Sequence, residues 1–291
     1  KEGRGPEVLA GLVAASDVVL NNYSPRGTRS MGIDRDGARR GNADAITICL
    51  SGYGATGPFS SFLSYGPVLQ AHAGFDEATG YDASGPVRIG LAFPDAIGGL
   101  HGTFATLQAL WERALTGGPV HVDVSQFESL LSIAGEMLLV TSATGRPPER
   151  HGNRASGLAP QGVYPCRGDD AWVALSVLDD AQWGALCGLV GGELRQAETL
   201  DVGGRTEGAD WIDRQISTWT QSRSPREAAG ALQGCGIPAF MVMTNRDLVE
   251  DEHLRERGFI VTWDQADVGP MEFPGFPVHF ESMRPRLETC P

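Results

Sequence analysis

An acidic residue stands at the start of the longest helical pattern in the chain. Asp95 opens the run 95–115, in which apolar side chains recur at helical spacing, and Gly98 and Gly99 follow within its first turn. The free amides and dipole of a helix start favour an ionised, nucleophilic carboxylate, but they equally suit a plain N-cap. Two glycines in one turn cost helix stability and are easier to explain if a bulky substrate approaches the backbone. The pattern alone leaves both interpretations open.

A glycine-rich segment follows one of the predicted strands. Residues 52–57 read G-x-G-x-x-G, and the acidic Asp76 and Glu77 come about twenty residues later, as in dinucleotide-binding units. Residues 58–61 are Pro-Phe-Ser-Ser, which predict no amphipathic helix to place its positive end under a pyrophosphate. The segment therefore favours a turn with close backbone packing over a dinucleotide site.

Other chemistry-bearing patterns are incomplete. His121 and Asp123 alternate on a strand and supply only two ligands, too few for a metal site. The chain contains neither a P-loop nor a G-x-S-x-G elbow, because Cys49 stands where the first glycine of the elbow would be. The cysteines are odd in number and scattered, at positions 49, 166, 187, 235 and 290. We expect no metal and no disulfide framework.

The elements that must position these residues alternate between strand and helix. This alternation predicts an α/β fold for the first part of the chain. The strands are expected at 17–20, 45–51 and 120–124, and the helices at 7–15, 95–115 and 125–141.

The second part of the chain is predicted to be a separate, smaller α+β domain. Residues 145–160 are rich in Gly, Pro and polar residues and read as a linker. Beyond it, strands are expected at 162–165, 172–177 and 237–243, and helices at 180–189, 210–220, 225–232 and 248–257. The resulting division is a large domain over 1–140, a linker over 141–160, a small domain over 161–245 and a return segment over 246–291.

Composition limits the partners. The net charge of −13 argues against nucleic acid and against an anionic membrane surface, since both are bound mainly through surplus Lys and Arg. Apolar runs are too short to cross a bilayer, and no leader pattern opens the chain, so a cytoplasmic location is expected. The densest basic cluster consists of arginines 26, 29, 35, 39 and 40. A solvated basic face is favoured over an anion site for this cluster.

Several blocks, in this order, resemble the class III CoA transferases, the family of formyl-CoA transferase and the crotonobetainyl-CoA:carnitine enzyme. The resemblance covers nearly the whole chain. The blocks are DVVLNNYSP at 17–25, SGYGATGP at 51–58, SYGP at 64–67 leading to QA at 70–71, PD at 94–95 with its glycine pair, VDVSQFE at 122–128, GNR at 152–154, GVYPCR at 162–167, GIPA at 236–239 and DEHL at 251–254.

The resemblance implies a fold and a chemistry. The fold would be a Rossmann-like open parallel sheet plus a smaller α+β domain, in an interlocked homodimer. Coenzyme A would be a co-substrate, exchanged between an acyl-CoA and a carboxylic acid through an aspartyl anhydride and an aspartyl-CoA thioester at Asp95. The resemblance also implies that an opening strand and helix and a final return strand of the family lie outside this chain.

Further site residues follow from the same resemblance. Tyr65 and Gln70 are expected to line the CoA channel, and the 22–26 turn, with Asn22, Tyr23 and Arg26, should lie along the pantetheine or phosphate path. The family turn usually has Arg where Ser24 stands here, and Arg26 is the expected substitute. A glycine-rich lid is expected at 155–157. We add our own inference that the backbone N–H groups of Gly98 and Gly99 hold the developing oxyanion.

Two alternatives stay open at this stage. The related α-methylacyl-CoA racemase shares the aspartate but uses a histidine base at the position of Tyr65, and tyrosine is a poor base at neutral pH. The second alternative is a non-catalytic segment or binding module of a larger CoA transferase.

Overall fold

The computed structural model describes residues 3–81 and 84–283 and divides into two compact units, Lys1–Gly152 and Asn153–Pro291. The division falls inside the segment that the sequence predicts as a linker. The domain boundaries drawn from the sequence stay a prediction. None of the helices formed by the described residues is long and apolar enough to cross a membrane.

The first unit is built on a parallel sheet, as the alternating pattern predicts. Its strands are β1 (Val18–Asn21), β2 (Ile46–Ser51) and β3 (His121–Ser125), with β2 in the centre and parallel to both neighbours. Every residue of β2 is buried, which explains its nearly continuous run of apolar residues.

Helices cover both faces of this sheet. The helices described in the first unit are α1 (Gly5–Ala14), α2 (Pro25–Met31), α3 (Arg35–Gly41), α4 (Gly66–His72), α5 (Phe75–Ala78), α6 (Phe93–Thr116), α7 (Gln126–Ile133) and α8 (Gly135–Thr144). Val13 of α1 and Ala38 of α3 pack with Val19 on one face, and α6 packs on the other. The single helix predicted over 125–141 is wrong, because the chain breaks at Ala134 and starts α8 at a glycine.

The long helix α6 packs on the sheet through small residues. Its buried face carries Gly98, Gly102 and Ala109, and a Cβ added to Gly102 would lie 2.5 Å from Leu50 Cδ2. Small residues on this face let the helix backbone approach β2. The large apolar residues of α6 point away from the sheet and are each about two-thirds exposed; they are Leu100, Phe104, Leu107, Trp111 and Leu115.

The second unit has its own sheet and core. The strands β4 (Gln161–Pro165), β5 (Trp172–Ser176) and β6 (Ala239–Met241) are antiparallel in that order. The helices are α9 (Asp180–Val190), α10 (Val202–Glu207), α11 (Ala209–Gln221), α12 (Pro225–Gly234), α13 (Asn245–Glu250) and α14 (Glu252–Glu256), with a 3₁₀ helix at Leu194–Ala197. Trp183, Ile212, Ile216 and Leu232 are fully buried between them.

Two local predictions for this unit need correction. The helix predicted over 248–257 is split at Asp251, whose side chain caps α14 by accepting a hydrogen bond from the Leu254 N–H (2.8 Å). From Phe259 on, short β-like runs broken by Gly and Pro predict an irregular segment, but the chain forms a regular antiparallel hairpin there, β7 (Ile260–Gln265) with β8 (Gly269–Pro274).

The approach of α6 to the sheet can be tested by stability. Gly102→Val should destabilise the first unit by about 1–3 kcal/mol, because the added side chain overpacks against Leu50. The matched control Gly99→Val, on the same helix with open space around it, should change stability by less than about 0.5 kcal/mol. Urea unfolding of both variants measures the difference. Equal midpoints would contradict the close packing.

Candidate active site

Asp95 lies in the first turn of α6 but does not cap it. The N-cap position belongs to Ala92, and the Asp95 N–H bonds the Ala92 carbonyl (3.2 Å). The carboxylate of Asp95 is exposed, and its Oδ1 accepts a hydrogen bond from Gln126 Nε2 (3.2 Å). The N-cap interpretation is therefore wrong, and the carboxylate is left available for other chemistry.

The second oxygen of this carboxylate lies against a glycine. Gly66 is the first residue of α4, and a Cβ built on it would lie 2.6 Å from Asp95 Oδ2 and 3.3 Å from Ala92 Cβ. Any side chain at this position would displace the carboxylate. The starts of α4, α6 and α7 thus meet around Asp95.

The two glycines after Asp95 have different surroundings. Gly98 is buried under Gln126, whose Cγ would lie 3.0 Å from an added Cβ, whereas Gly99 is exposed with nothing within 4 Å of such an atom. Gly99 therefore leaves the backbone open one turn below the carboxylate. Helical bonding of α6 begins at the Ala96 N–H, so the later amides of Gly98 and Gly99 point into the helix. This position does not favour the predicted oxyanion role of their N–H groups.

Of the two residues expected to line a CoA channel, Tyr65 is exposed and Gln70 is buried. Tyr65 precedes Gly66 directly and its side chain is 83% exposed. Gln70 is fully buried, and its Nε2 donates to Asp76 Oδ1 (3.0 Å). In this arrangement Gln70 presents no surface to a ligand, so its burial does not favour the predicted contact with CoA.

The 22–26 turn lies at the carboxyl end of β1. Asn22, Tyr23 and Arg26 are exposed there, and Ser24 caps α2 by accepting a hydrogen bond from the Gly27 N–H (3.2 Å). Ser24, where the resemblance implies an arginine, thus serves as a helix cap.

A cavity of about 300 Å³ lies on the sheet face opposite α6. Its lining includes Tyr23, Cys49, Ser51, His121 and Asp123 but not Asp95. Asp123 Oδ2 accepts from the Ala55 N–H (2.8 Å), and burial lowers the pKa of His121. Within residues 3–81 and 84–283 no cluster of three or more His, Cys, Asp or Glu could hold a metal ion.

The glycine-rich segment after β2 forms turns, as its sequence predicts. Gly54 and Gly57 have positive φ (83° and 80°), and the first helix after β2 begins only at Gly66. The rings of the following loop pack with His72 and Phe127, and the Tyr53 hydroxyl lies 3.1 Å from His72 Nδ1. The segment therefore packs against the end of α4 and the start of α7, which favours a structural role over a dinucleotide site.

Sequence reasoning missed Gln126 and Gly66 as site residues. Both stand inside recognised blocks, but nothing in either block distinguishes them from their neighbours. Their positions could have identified them, because each is the first residue of the next helix after a strand of the parallel sheet.

The contact between Gly66 and the Asp95 carboxylate can be tested by adding a single methyl group at position 66. Gly66→Ala should rotate the Asp95 carboxylate and lengthen the Gln126 Nε2–Oδ1 distance beyond 3.5 Å, at a cost of about 1 kcal/mol for the lost hydrogen bond. Gly135→Ala is the matched control, because Gly135 also opens a helix and has no atom within 4 Å of an added Cβ. Crystal structures and thermal unfolding of both variants check this. An unmoved carboxylate in Gly66→Ala would contradict the contact.

Comparison with known proteins places this geometry in a family. The model of CoA-transferase family III matches residues 1–291. A probable CoA-transferase of Mycobacterium tuberculosis is 31% identical over 271 residues, which are 88% of this chain and 33% of that protein. The succinyl-CoA–D-citramalate CoA-transferase of Chloroflexus aurantiacus is 25% identical over 289 residues, 99% of this chain and 70% of that protein.

The fold comparison agrees with the sequence comparison. The crystal structure of a CaiB/BaiF family protein from Brucella suis superimposes with a TM-score of 0.86 at 26% identity, covering 97% of this chain and 73% of that one. This chain spans one third of the mycobacterial relative and 70% of the Chloroflexus enzyme. With the family model matched from end to end, the chain belongs to CoA-transferase family III.

Proposed function

We propose that this chain transfers coenzyme A from an acyl-CoA thioester to a free carboxylic acid, with Asp95 as the nucleophile. The observation that carries the proposal is an exposed carboxylate in the first turn of a 24-residue helix, held by one uncharged amide. The exposure of Asp95 leaves its carboxylate open to an approaching thioester, as a nucleophile requires. Membership in CoA-transferase family III supports the reaction class.

The proposed chemistry proceeds in balanced covalent steps. Asp95 Oδ2 attacks the thioester carbonyl, the C–S bond breaks, and CoA thiolate leaves behind a mixed anhydride. The thiolate then attacks Asp95 Cγ and expels the donor acid, which leaves an aspartyl-CoA thioester. The acceptor carboxylate attacks Cγ, releases the thiolate and forms a second anhydride. Finally, the thiolate attacks the new acyl carbonyl and regenerates the aspartate.

The proposed substrates are small organic acids, with dicarboxylic acids favoured. The names of two relatives mention succinyl-CoA with D-citramalate, and succinate with glutarate. CoA would pass the exposed Tyr65 and the 22–26 turn with Asn22, Tyr23 and Arg26. Gln70 is left out of this path, because it is fully buried and presents no surface to CoA.

The predicted homodimer receives support from the outer face of α6. An exposed apolar stripe on a single helix is typical of an interaction surface. At roughly 200 Å² per large side chain, Leu100, Phe104, Leu107, Trp111 and Leu115 expose about 650 Å² in one copy. A symmetric pair that covered the whole stripe would bury at most about 1,300 Å² from it, which reaches the lower end of the range of stable interfaces. We propose that the stripe is covered in a dimer of this chain.

Covalent capture tests the proposed reaction. After incubation with succinyl-CoA and quenching with hydroxylamine or borohydride, intact-mass and peptide spectra should locate an adduct on Asp95. Asp95→Asn should abolish it, whereas Asp44→Asn, which alters an exposed carboxylate elsewhere in the same unit, should retain it. Deuterium exchange at the substrate α-carbon without an adduct would indicate the racemase. An inert chain in both assays would indicate a non-catalytic segment.

Sedimentation tests the proposed dimer. Phe104→Glu with Leu107→Glu places two charges on the stripe and should convert the dimer to a monomer at micromolar concentration, because burying unpaired charge is costly. Leu12→Glu changes an equally exposed leucine on α1 and should leave the dimer intact. Sedimentation velocity distinguishes the two species. A monomeric wild-type chain would refute the proposal.

A further inference from the structure

We propose that Gln126 is a catalytic residue whose Nε2–H group stabilises the oxyanion that forms on Asp95 Oδ1 whenever the aspartyl carbonyl is attacked. The inference rests on the proposed aspartyl mechanism. Its basis is the contact between Gln126 Nε2 and Asp95 Oδ1 at 3.2 Å, which joins residues 31 positions apart in the chain.

The backbone around Gln126 is held on both sides. Ser125 ends β3 in a buried position and caps α7 with its side chain. The Phe127 N–H donates to the Gly52 carbonyl (2.9 Å), and the Phe127 ring stacks on His72 with ring centres 4.7 Å apart. Gln126 is therefore presented from a rigid strand–helix junction, as a preorganised donor requires.

The side chain of Gln126 is confined as well. It lies over Gly98, where an added Cβ would come within 3.0 Å of Gln126 Cγ and 3.5 Å of its Nε2. Glycine at position 98 thus makes room for the amide beside the first turn of α6. This explains one of the two glycines without invoking a substrate at that point.

The two oxygens of Asp95 are not equivalent. Oδ1 faces the amide of Gln126, and Oδ2 lies against the bare backbone of Gly66. We assign Oδ2 as the attacking oxygen, so that Oδ1 remains the carbonyl oxygen of the anhydride and of the aspartyl-CoA thioester. Charge then develops on Oδ1 when the thiolate attacks Cγ and again when the acceptor acid attacks Cγ.

A primary amide suits this position chemically. Its N–H groups donate hydrogen bonds, but at neutral pH it does not transfer a proton to the nucleophile. A fixed donor aimed at the oxygen where charge develops lowers the barrier without reorganisation. Gln126 therefore takes the role that the sequence had assigned to the amides of Gly98 and Gly99.

Single-turnover mass spectrometry with succinyl-CoA tests the assignment. In Gln126→Leu, the anhydride at Asp95 should still form, but its conversion to the aspartyl-CoA thioester should slow roughly 100-fold. The KM for succinyl-CoA, taken from steady-state kinetics, should change less than about threefold because no substrate contact is lost. Gln196→Leu is the matched control, since Gln196 is exposed in the second unit and should show wild-type rates. Circular dichroism verifies that each variant is folded.

The pH dependence of a second variant distinguishes a hydrogen-bond donor from a residue with a purely structural role. In Gln126→Glu the introduced carboxyl group donates a hydrogen bond only when protonated. Thioester formation should therefore recover as pH falls through the acidic range, whereas the wild type should show no such recovery. This variant keeps the test decisive if Gln126→Leu fails to fold.

The outcomes separate this inference from the proposed function. Absence of any Asp95 adduct in the wild type would overturn the aspartyl mechanism itself. A wild-type adduct together with an unslowed thioester step in Gln126→Leu, or a pH-independent Gln126→Glu, would overturn only the role of Gln126.

Discussion

The close packing of α6 on the central strand β2 is the constraint on which the first unit depends. Gly102 lets the helix backbone approach the Leu50 side chain, and Ala109 continues the same small face along Ile46 and Ile48. A helix with large residues on this face would stand farther from the sheet. The first turn of α6 would then no longer meet the junction between β3 and α7, and the carboxylate would lose its amide partner.

The site is assembled from helix starts rather than from one loop. The first residues of α4 and α7, Gly66 and Gln126, approach the first turn of α6 from different sides. A side chain at position 66 would collide with the Asp95 carboxylate, and one at position 98 would collide with the Gln126 side chain. Each of these two glycines is therefore explained by one specific neighbour. Gly99, by contrast, has no close neighbour and leaves an open approach to the carboxylate. The starts of α4 and α7 thus hold the Asp95 carboxylate from two sides and leave the rest of it exposed.

Helix α6 carries its small residues on the buried face and its large apolar residues on the exposed face. Because small residues face the sheet, the large apolar residues such as Phe104 and Trp111 face outward. The same helix thus positions the carboxylate at its start and offers a surface for assembly along its length. The proposed catalysis and the proposed dimer therefore depend on different parts of one helix.

The sequence by itself determined most of the strands and long helices and the family, and it made Asp95 the candidate nucleophile. Hydrophobic periodicity predicted the three strands of the first sheet and the long helix whose first turn holds Asp95, and the ordered blocks identified the family, because these signals are carried by residues close together in the chain. Only the tertiary structure decided the partners of Asp95, the burial of Gln70 and the break at Ala134. Those features depend on contacts between segments far apart in the chain, such as the 31 residues between Asp95 and Gln126, which periodicity does not encode.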